Sequence, residues 1–439
     1  MLKMLRMRDV GPAPSFEITL SDRLNIFTGD NGLGKTFILD VAWWALTGTW
    51  SGHQAAPHLD SGTHPLIAAE FESGSRARPG QMSSEFDFAK QEWPRKIHGI
   101  KDWCLVVYAR IDGGFSVWDP ARWSWEDEKA EIRRSSAFHF SPNEVWDGFP
   151  PKGEQTLCNG LIRDWAYWQI QNKVEHIQRN GRPLRAGKPM GTSPFDTLEK
   201  IVEKLASTPG ESIGIGEPVR LSVHDVRDHP TLAMPYGDVP LVLASAGQKR
   251  IASFAYLLTW AWHEHRKASQ LRNQHPVKKI VLLVDELESH LHPRWQRTIL
   301  PSILGLGSAL QTQVNLQVLA TTHSPLILAS IEPHFAQDRD SLYLLELARG
   351  GKQVNLRKLP WARQGDAVGW LTSPVFGLDS GGRSPEAEIA IEAAEAYMRG
   401  ERKQLPPGLR SKPAIQKALE RTLSGIDPFW PRWIVETHS

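Results

Sequence analysis

Chemistry is most concentrated in Gly29-Asp30-Asn31-Gly32-Leu33-Gly34-Lys35-Thr36, which fits G-x-x-x-x-G-K-[ST] between an apolar strand and a helix. The three glycines let the backbone fold around a β-phosphate with its N–H groups pointing inward. The helix starting near Lys35 adds the positive end of its dipole. Lys35 is placed to reach the β- and γ-phosphates, and Thr36 to ligate Mg²⁺. The expected ligands are therefore ATP and Mg²⁺.

Three further segments bear on what would happen to that nucleotide. Ile280-Val281-Leu282-Leu283-Val284-Asp285-Glu286 reads as a buried strand delivering two acids to its C-terminal edge. Asp285 would hold Mg²⁺ through water, and Glu286 would orient or deprotonate the attacking water. Val314 to Pro325 reads as a second buried strand, ending in a histidine at Thr322-His323-Ser324-Pro325. From that position His323 can donate to a γ-phosphate. Ser245-Ala246-Gly247-Gln248 precedes an apolar helix. Ser245 can cap this helix, whose first free N–H groups then face an anion.

Together these segments resemble the ATP-binding cassette (ABC) ATPases, and within them the SMC-like chromosome and repair proteins and the OLD-family ATPases of bacterial defence systems. Gly29 to Thr36 match the Walker A motif, Ser245 to Gln248 the signature motif, Asp285 and Glu286 the Walker B pair, and His323 the switch histidine. Asp285 to Pro293 and Thr321 to Pro325 look like the defence-type branch. Ala246 stands where transporters usually have glycine, and Ser289 to Pro293 replace their usual loop after Walker B.

The resemblance implies a head-to-tail dimer, with Ser245, Gly247 and Gln248 of one subunit completing the ATP site of the other. It implies catalytic roles for Glu286 and His323. It also implies a head that senses nucleic acid, DNA or RNA, or a phage signal, and controls a separately encoded effector such as a nuclease. Two alternatives stand beside this reading: an ATP-bound scaffold that sequesters a toxin with little turnover, and a transporter-type ATPase. Gln155, Gln169 and Gln171 remain open as the glutamine-loop residue.

Around these anchors the expected fold class is α/β, an ABC ATPase head of the P-loop kind with a mixed sheet core, an inserted α+β lobe and a short helical C-terminal tail. Met4 to Val10, Phe16 to Leu20 and Leu24 to Thr28 read as strands, and Lys35 to Leu46 as a helix. Residues 90–240 are expected to form the lobe. In it, Trp103 to Ile111 with Gly114 to Trp118 suggest a hairpin, and Leu157 to Gln178 and Thr197 to Leu205 suggest helices. No heptad repeat runs through the lobe, which excludes a long coiled-coil arm. A hairpin at Ser341 to Leu347 and Gln353 to Lys358 turns at Gly350-Gly351, and the head ends near residue 380. Residues 384–439 form the tail, with a helix capped by Ser384 and opened by Pro385 and a second at Pro413 to Leu423. Phe429, Trp430 and Trp433 at its end suggest docking to a partner, another subunit or the head. No cluster of acids following strands appears in the tail, so no nuclease is expected in this chain.

Composition limits the classes available. The 439 residues allow a large core, and a net charge of +2 makes no global case for nucleic acid or membrane. The only cysteines, Cys104 and Cys158, suggest neither a disulfide framework nor a metal site. His263, His265, His290 and His292 have no neighbours that complete a zinc ligand set. The N-terminus lacks a signal-peptide core, and no apolar run approaches membrane-spanning length, so a cytoplasmic protein is expected. Eighteen tryptophans, eight of them from Trp93 to Trp168, are expected to pack the lobe, with an interface as the alternative. The basic, glycine-rich loop 179–189 could contact nucleic acid or an acidic partner.

Overall fold

A computed structural model describes residues 1–59, 62–72, 79–100, 103–122, 137–149, 156–180, 193–206, 213–310, 314–348, 351, 353–378 and 382–438. The chain divides into two compact units, Met1–Arg363 and Gln364–Ser439.

In the first unit the apolar runs become neighbours in one eight-stranded sheet. Its order is Val354–Leu359, Asp340–Leu347, Leu24–Gly29, Asn315–Thr321, Lys279–Val284, Leu105–Ala109, Phe115–Trp118 and Phe138–Phe140. The five strands from Asp340–Leu347 to Leu105–Ala109 run parallel. The remaining three pair antiparallel at the two edges, so the sheet is mixed. Ile280 to Val284 and Leu105 to Ala109 are buried along their whole length, which is why both read as unbroken apolar runs. Parallel strands present their carboxyl ends at one edge, and here that edge carries Gly29, Asp285 and Thr322.

A second, antiparallel sheet contains Ala13–Thr19, Leu2–Val10, Leu66–Phe71, Gly80–Glu85 and Lys96–His98 in that order. Helix Lys35–Thr47 joins it to the central sheet. Trp43 and Trp44 of the helix share one apolar core with Leu5, Met7 and Ile67 of the antiparallel sheet and with Phe27, Val106 and Val281 of the central sheet. The helix carrying Lys35 and Thr36 is therefore held from both sides. Its first turn is fixed by burial one turn later.

The expected hairpin at 103–118 is present, as Leu105–Ala109 paired with Phe115–Trp118. It belongs to the central sheet, and so does Phe138–Phe140, so residues 90–240 are not all an inserted lobe. The lobe proper carries the helices Leu161–Asn180 and Pro194–Ala206 and short strands between Gly214 and Pro240. Trp93, Trp118, Trp165 and Trp168 are buried, in keeping with packing. Residues 181–189 of the basic loop, and Gly350 of the second hairpin turn, lie outside the described residues.

The second unit begins at Gln364, ahead of the expected boundary near 380. Ser384 accepts a hydrogen bond from the Ala387 amide, and Pro385 opens helix Pro385–Met398. Helices Lys412–Thr422 and Phe429–His438 follow, the last of them unanticipated by sequence. Ala390, Ala393, Ala394, Ile415, Leu419, Phe429 and Trp433 form one core, with Trp430 packed against it. The terminal aromatics are thus used inside their own unit. Small alanines let the helices approach and the rings fill the space between them, so these rings are not the free surface that suggested docking, and docking of the unit stays a proposal.

Candidate functional site

The loop between Leu24–Gly29 and Lys35–Thr47 is built on glycines that no other residue could replace without strain. Gly29 has φ +129°, and a Cβ there would sit 2.0 Å from the Leu345 carbonyl oxygen. Gly32 and Gly34 are likewise left-handed, at φ +76° and +95°. Asp30, Asn31 and Gly32 are exposed at the loop's tip, and Leu33 is buried beneath it. Lys35 Nζ donates to the carbonyl oxygens of Gly29 at 2.9 Å and Asp30 at 2.7 Å, so the ammonium spans the loop from inside. Burial pulls its pKa below the ordinary value, opposed by the carboxylates of Glu286, Asp285 and Asp30.

At the same sheet edge a chain of hydrogen bonds ties the loop to the acids. Thr36 Oγ1 donates to Asp285 Oδ2 at 2.8 Å. Thr321 Oγ1 donates to Asp285 Oδ1 at 2.7 Å and accepts from the Glu286 amide at 2.7 Å. Asp285 is buried, while Glu286 is half-buried. Glu286 also has φ +45°, a conformation costing a non-glycine residue roughly 1–2 kcal/mol, so its neighbours must hold it there. Arg250, from helix Ala246–Leu271, donates to the carbonyl oxygens of Asp285 at 3.1 Å and Glu286 at 3.3 Å. The turn is thus gripped from both sides.

Glu288 holds the histidine segment. It accepts from Thr322 Oγ1 at 2.8 Å and from the His323 amide. The His323 imidazole is pushed below its usual pKa by burial and then by the Lys35 cation, which favours its neutral form. Thr36 and Asp285 offer the hard oxygen donors that Mg²⁺ takes, so the residues present fit that ion.

Ser245 caps helix Ala246–Leu271 in a reciprocal box. Its hydroxyl accepts from the Gln248 amide, and Gln248 Oε1 accepts from the Ser245 amide at 2.9 Å. Gln248 Nε2 also reaches Met234 Sδ at 3.7 Å. Gly247 has a packing reason of its own: a Cβ there would sit 2.8 Å from the His290 carbonyl oxygen and 2.9 Å from the Trp295 ring. The structure therefore gathers Lys35, Thr36, Asp285, Glu286 and His323 at one edge. Among the described residues no hydrogen bond joins Ser245, Gly247 or Gln248 to the loop.

Glu288, Thr321, Thr322 and Arg250 lay within the segments singled out in the sequence but were given no role there. The spacing Asp285-x-x-Glu288 and the paired threonines before His323 were the available signals. Of the open glutamines, Gln169 is buried and donates to the Gly216 carbonyl, Gln171 is exposed on the lobe helix, and Gln155 lies outside the described residues. The strand beside the acid-bearing one is followed instead by Arg110, whose guanidinium pairs with Asp112 at 3.2 Å. His265, set aside as a zinc ligand, is buried, bonded to Asp119 at 2.6 Å and to the Val277 amide at 2.9 Å. No described helix is long and apolar enough to cross a membrane.

Comparison with known proteins extends this picture. A family model described as "AAA domain, putative AbiEii toxin, Type IV TA system" matches residues 168–329, a span that holds the signature, acid and histidine segments. The Septu protein PtuA of Bacillus thuringiensis is 21% identical over 412 residues, covering 92% of this chain and 90% of that protein. The "Retron Ec83 probable ATPase" of Escherichia coli is 30% identical over 96 residues, covering 22% of this chain and 14% of that protein. Among solved structures, the SMC head domain from Thermotoga maritima covers 82% of this chain and 99% of its own at 15% identity and a TM-score of 0.40. By its motifs and its relatives, the chain resembles the ABC-type ATPases of prokaryotic defence systems.

Proposed function

We propose that this chain binds ATP with Mg²⁺ and hydrolyses it as a head-to-tail dimer, in the cytoplasm, and that turnover controls a separately encoded effector in antiviral defence. The observation that carries the reading is the bonded chain Thr36–Asp285–Thr321–Glu286, which fixes a hydroxyl and a buried carboxylate near Lys35 and anchors the backbone amide of Glu286.

In this reading the glycine-loop amides and Lys35 bind and orient the phosphates, and the positioning supplies most of the catalysis. Thr36 and Asp285 would hold Mg²⁺, which neutralises phosphate charge when bound. Glu286 accepts the proton of the attacking water. His323, at the neighbouring strand end, donates to the γ-phosphate. Ser245, Gly247 and Gln248 act across the dimer on the partner's nucleotide. The defence role follows the motif resemblance and the likeness to the Septu protein PtuA, and a nuclease as the effector class with a nucleic acid or phage signal as the trigger belongs to the same proposal.

Phosphate release and ATP affinity, measured on the wild type and Lys35→Ala, test this. Turnover in the wild type, with both binding and turnover lost in a folded Lys35→Ala, is expected. Tight binding with negligible phosphate release in the wild type would instead mark an ATP-bound scaffold.

A further inference from the structure

Beside the Asp285–Glu286 turn lies a cavity of about 230 Å³ whose lining includes no residue of the phosphate loop and none of Asp285, Glu286 and His323. Its walls are apolar: Phe115 at a strand start, Phe254 on the signature helix, Leu287 just past the acids, and Ile303. A cavity of roughly 150 Å³ with such a lining takes a benzene ring, so this one takes a ring system or a short branched chain. A close-packed interior leaves few voids of this size.

The lining also carries charge of one sign. Arg110, Lys249 and Arg250 are part of it, and no Asp or Glu is among the described lining residues. Arg110 is committed to Asp112, and Arg250 to the carbonyls of Asp285 and Glu286. The Lys249 ammonium has no hydrogen-bond or ion-pair partner among the described residues. An apolar body under an uncommitted ammonium matches one kind of ligand.

We propose that this cavity binds a small amphipathic organic anion, its apolar body among Phe115, Phe254, Leu287 and Ile303 and its acidic head on Lys249. Arg250 lines the same cavity while gripping the turn that carries Glu286, so occupancy is felt at the ATP site. That coupling rests on the proposed hydrolysis; the binding itself does not.

Calorimetric titration of the full chain with 1-naphthalenesulfonate, and with neutral 1-naphthalenemethanol, tests the site. One saturable site for the sulfonate is expected, weakened at least about tenfold by Lys249→Gln and for the neutral analogue, since a hydrogen bond to a charged group is lost. Ile303→Phe should weaken it as strongly by filling the cavity, and Leu205→Phe serves if that variant does not fold. Saturating sulfonate should change ATP affinity at least about fivefold. Absence of saturable binding, equal binding of the neutral analogue, or indifference to the variants would overturn the site. Displacement of the probe by self-association alone would overturn it too, assigning the cavity to a partner side chain. Binding without any change in ATP affinity would overturn the coupling. None of these titrations needs turnover, so failure of the cavity and failure of the hydrolytic reading are separable.

Discussion

Thr321→Val is the perturbation that separates this site from one assembled by motif residues alone. The substitution keeps the shape of a fully buried side chain and removes a single hydroxyl. That hydroxyl makes two bonds of 2.7 Å, one donated to the Asp285 carboxylate and one accepted from the Glu286 amide. A bond to a charged group contributes about 1.5–3 kcal/mol, and a neutral one about 0.5–1.5 kcal/mol. Unfolding free energy should therefore fall by roughly 2–4.5 kcal/mol. Function should suffer in a particular order. ATP affinity should change little, because the glycine loop and Lys35 are untouched, while turnover should fall at least about tenfold as Glu286 loses the amide anchor of its left-handed turn. Denaturant unfolding and steady-state phosphate release give both numbers, with Thr321→Ser as the control that restores the hydroxyl. A valine variant equal to wild type in stability and turnover would refute the argument.

Two further outcomes follow from the same structure. Mixing Ser245→Arg protein with Lys35→Ala protein should restore up to one working site per dimer, read as phosphate release in a titration of two inactive proteins; no recovery in a verified hetero-dimer would mean that each subunit is self-contained. Removing residues 364–439, a unit with its own core, should leave basal ATPase largely intact while partners or higher assembly are lost from pull-down and sedimentation. A stable truncated protein that keeps its full set of partners would contradict a docking role for this unit.

What could be read in advance was local. The phosphate loop follows from glycines whose backbone angles only glycine adopts readily, and the acid and histidine strands follow from unbroken apolar runs ending in polar residues. What could not be read depends on pairing across the chain. Leu105–Ala109 joins the central sheet by lying parallel to Lys279–Val284, a partner far along the chain, and no periodicity signals that. Glu288 looks like a surface acid until Thr322 and His323 are brought to it. Arg250 looks like one more charge on a helix until its guanidinium meets two carbonyls of the acidic turn. The tail aromatics suggested an outward surface because their alanine-rich partners on Pro385–Met398 carry little apolar bulk in sequence.

The central claim, that Glu286 handles the water in an ATP site framed by Lys35, Thr36 and Asp285, is tested most directly by Glu286→Gln. The glutamine keeps the shape and removes the base, so phosphate release measured beside ATP affinity should show turnover down at least about a hundredfold with affinity retained, and an ATP-bound dimer should accumulate in sedimentation. Turnover equal to wild type would assign the water to another residue and contradict the account.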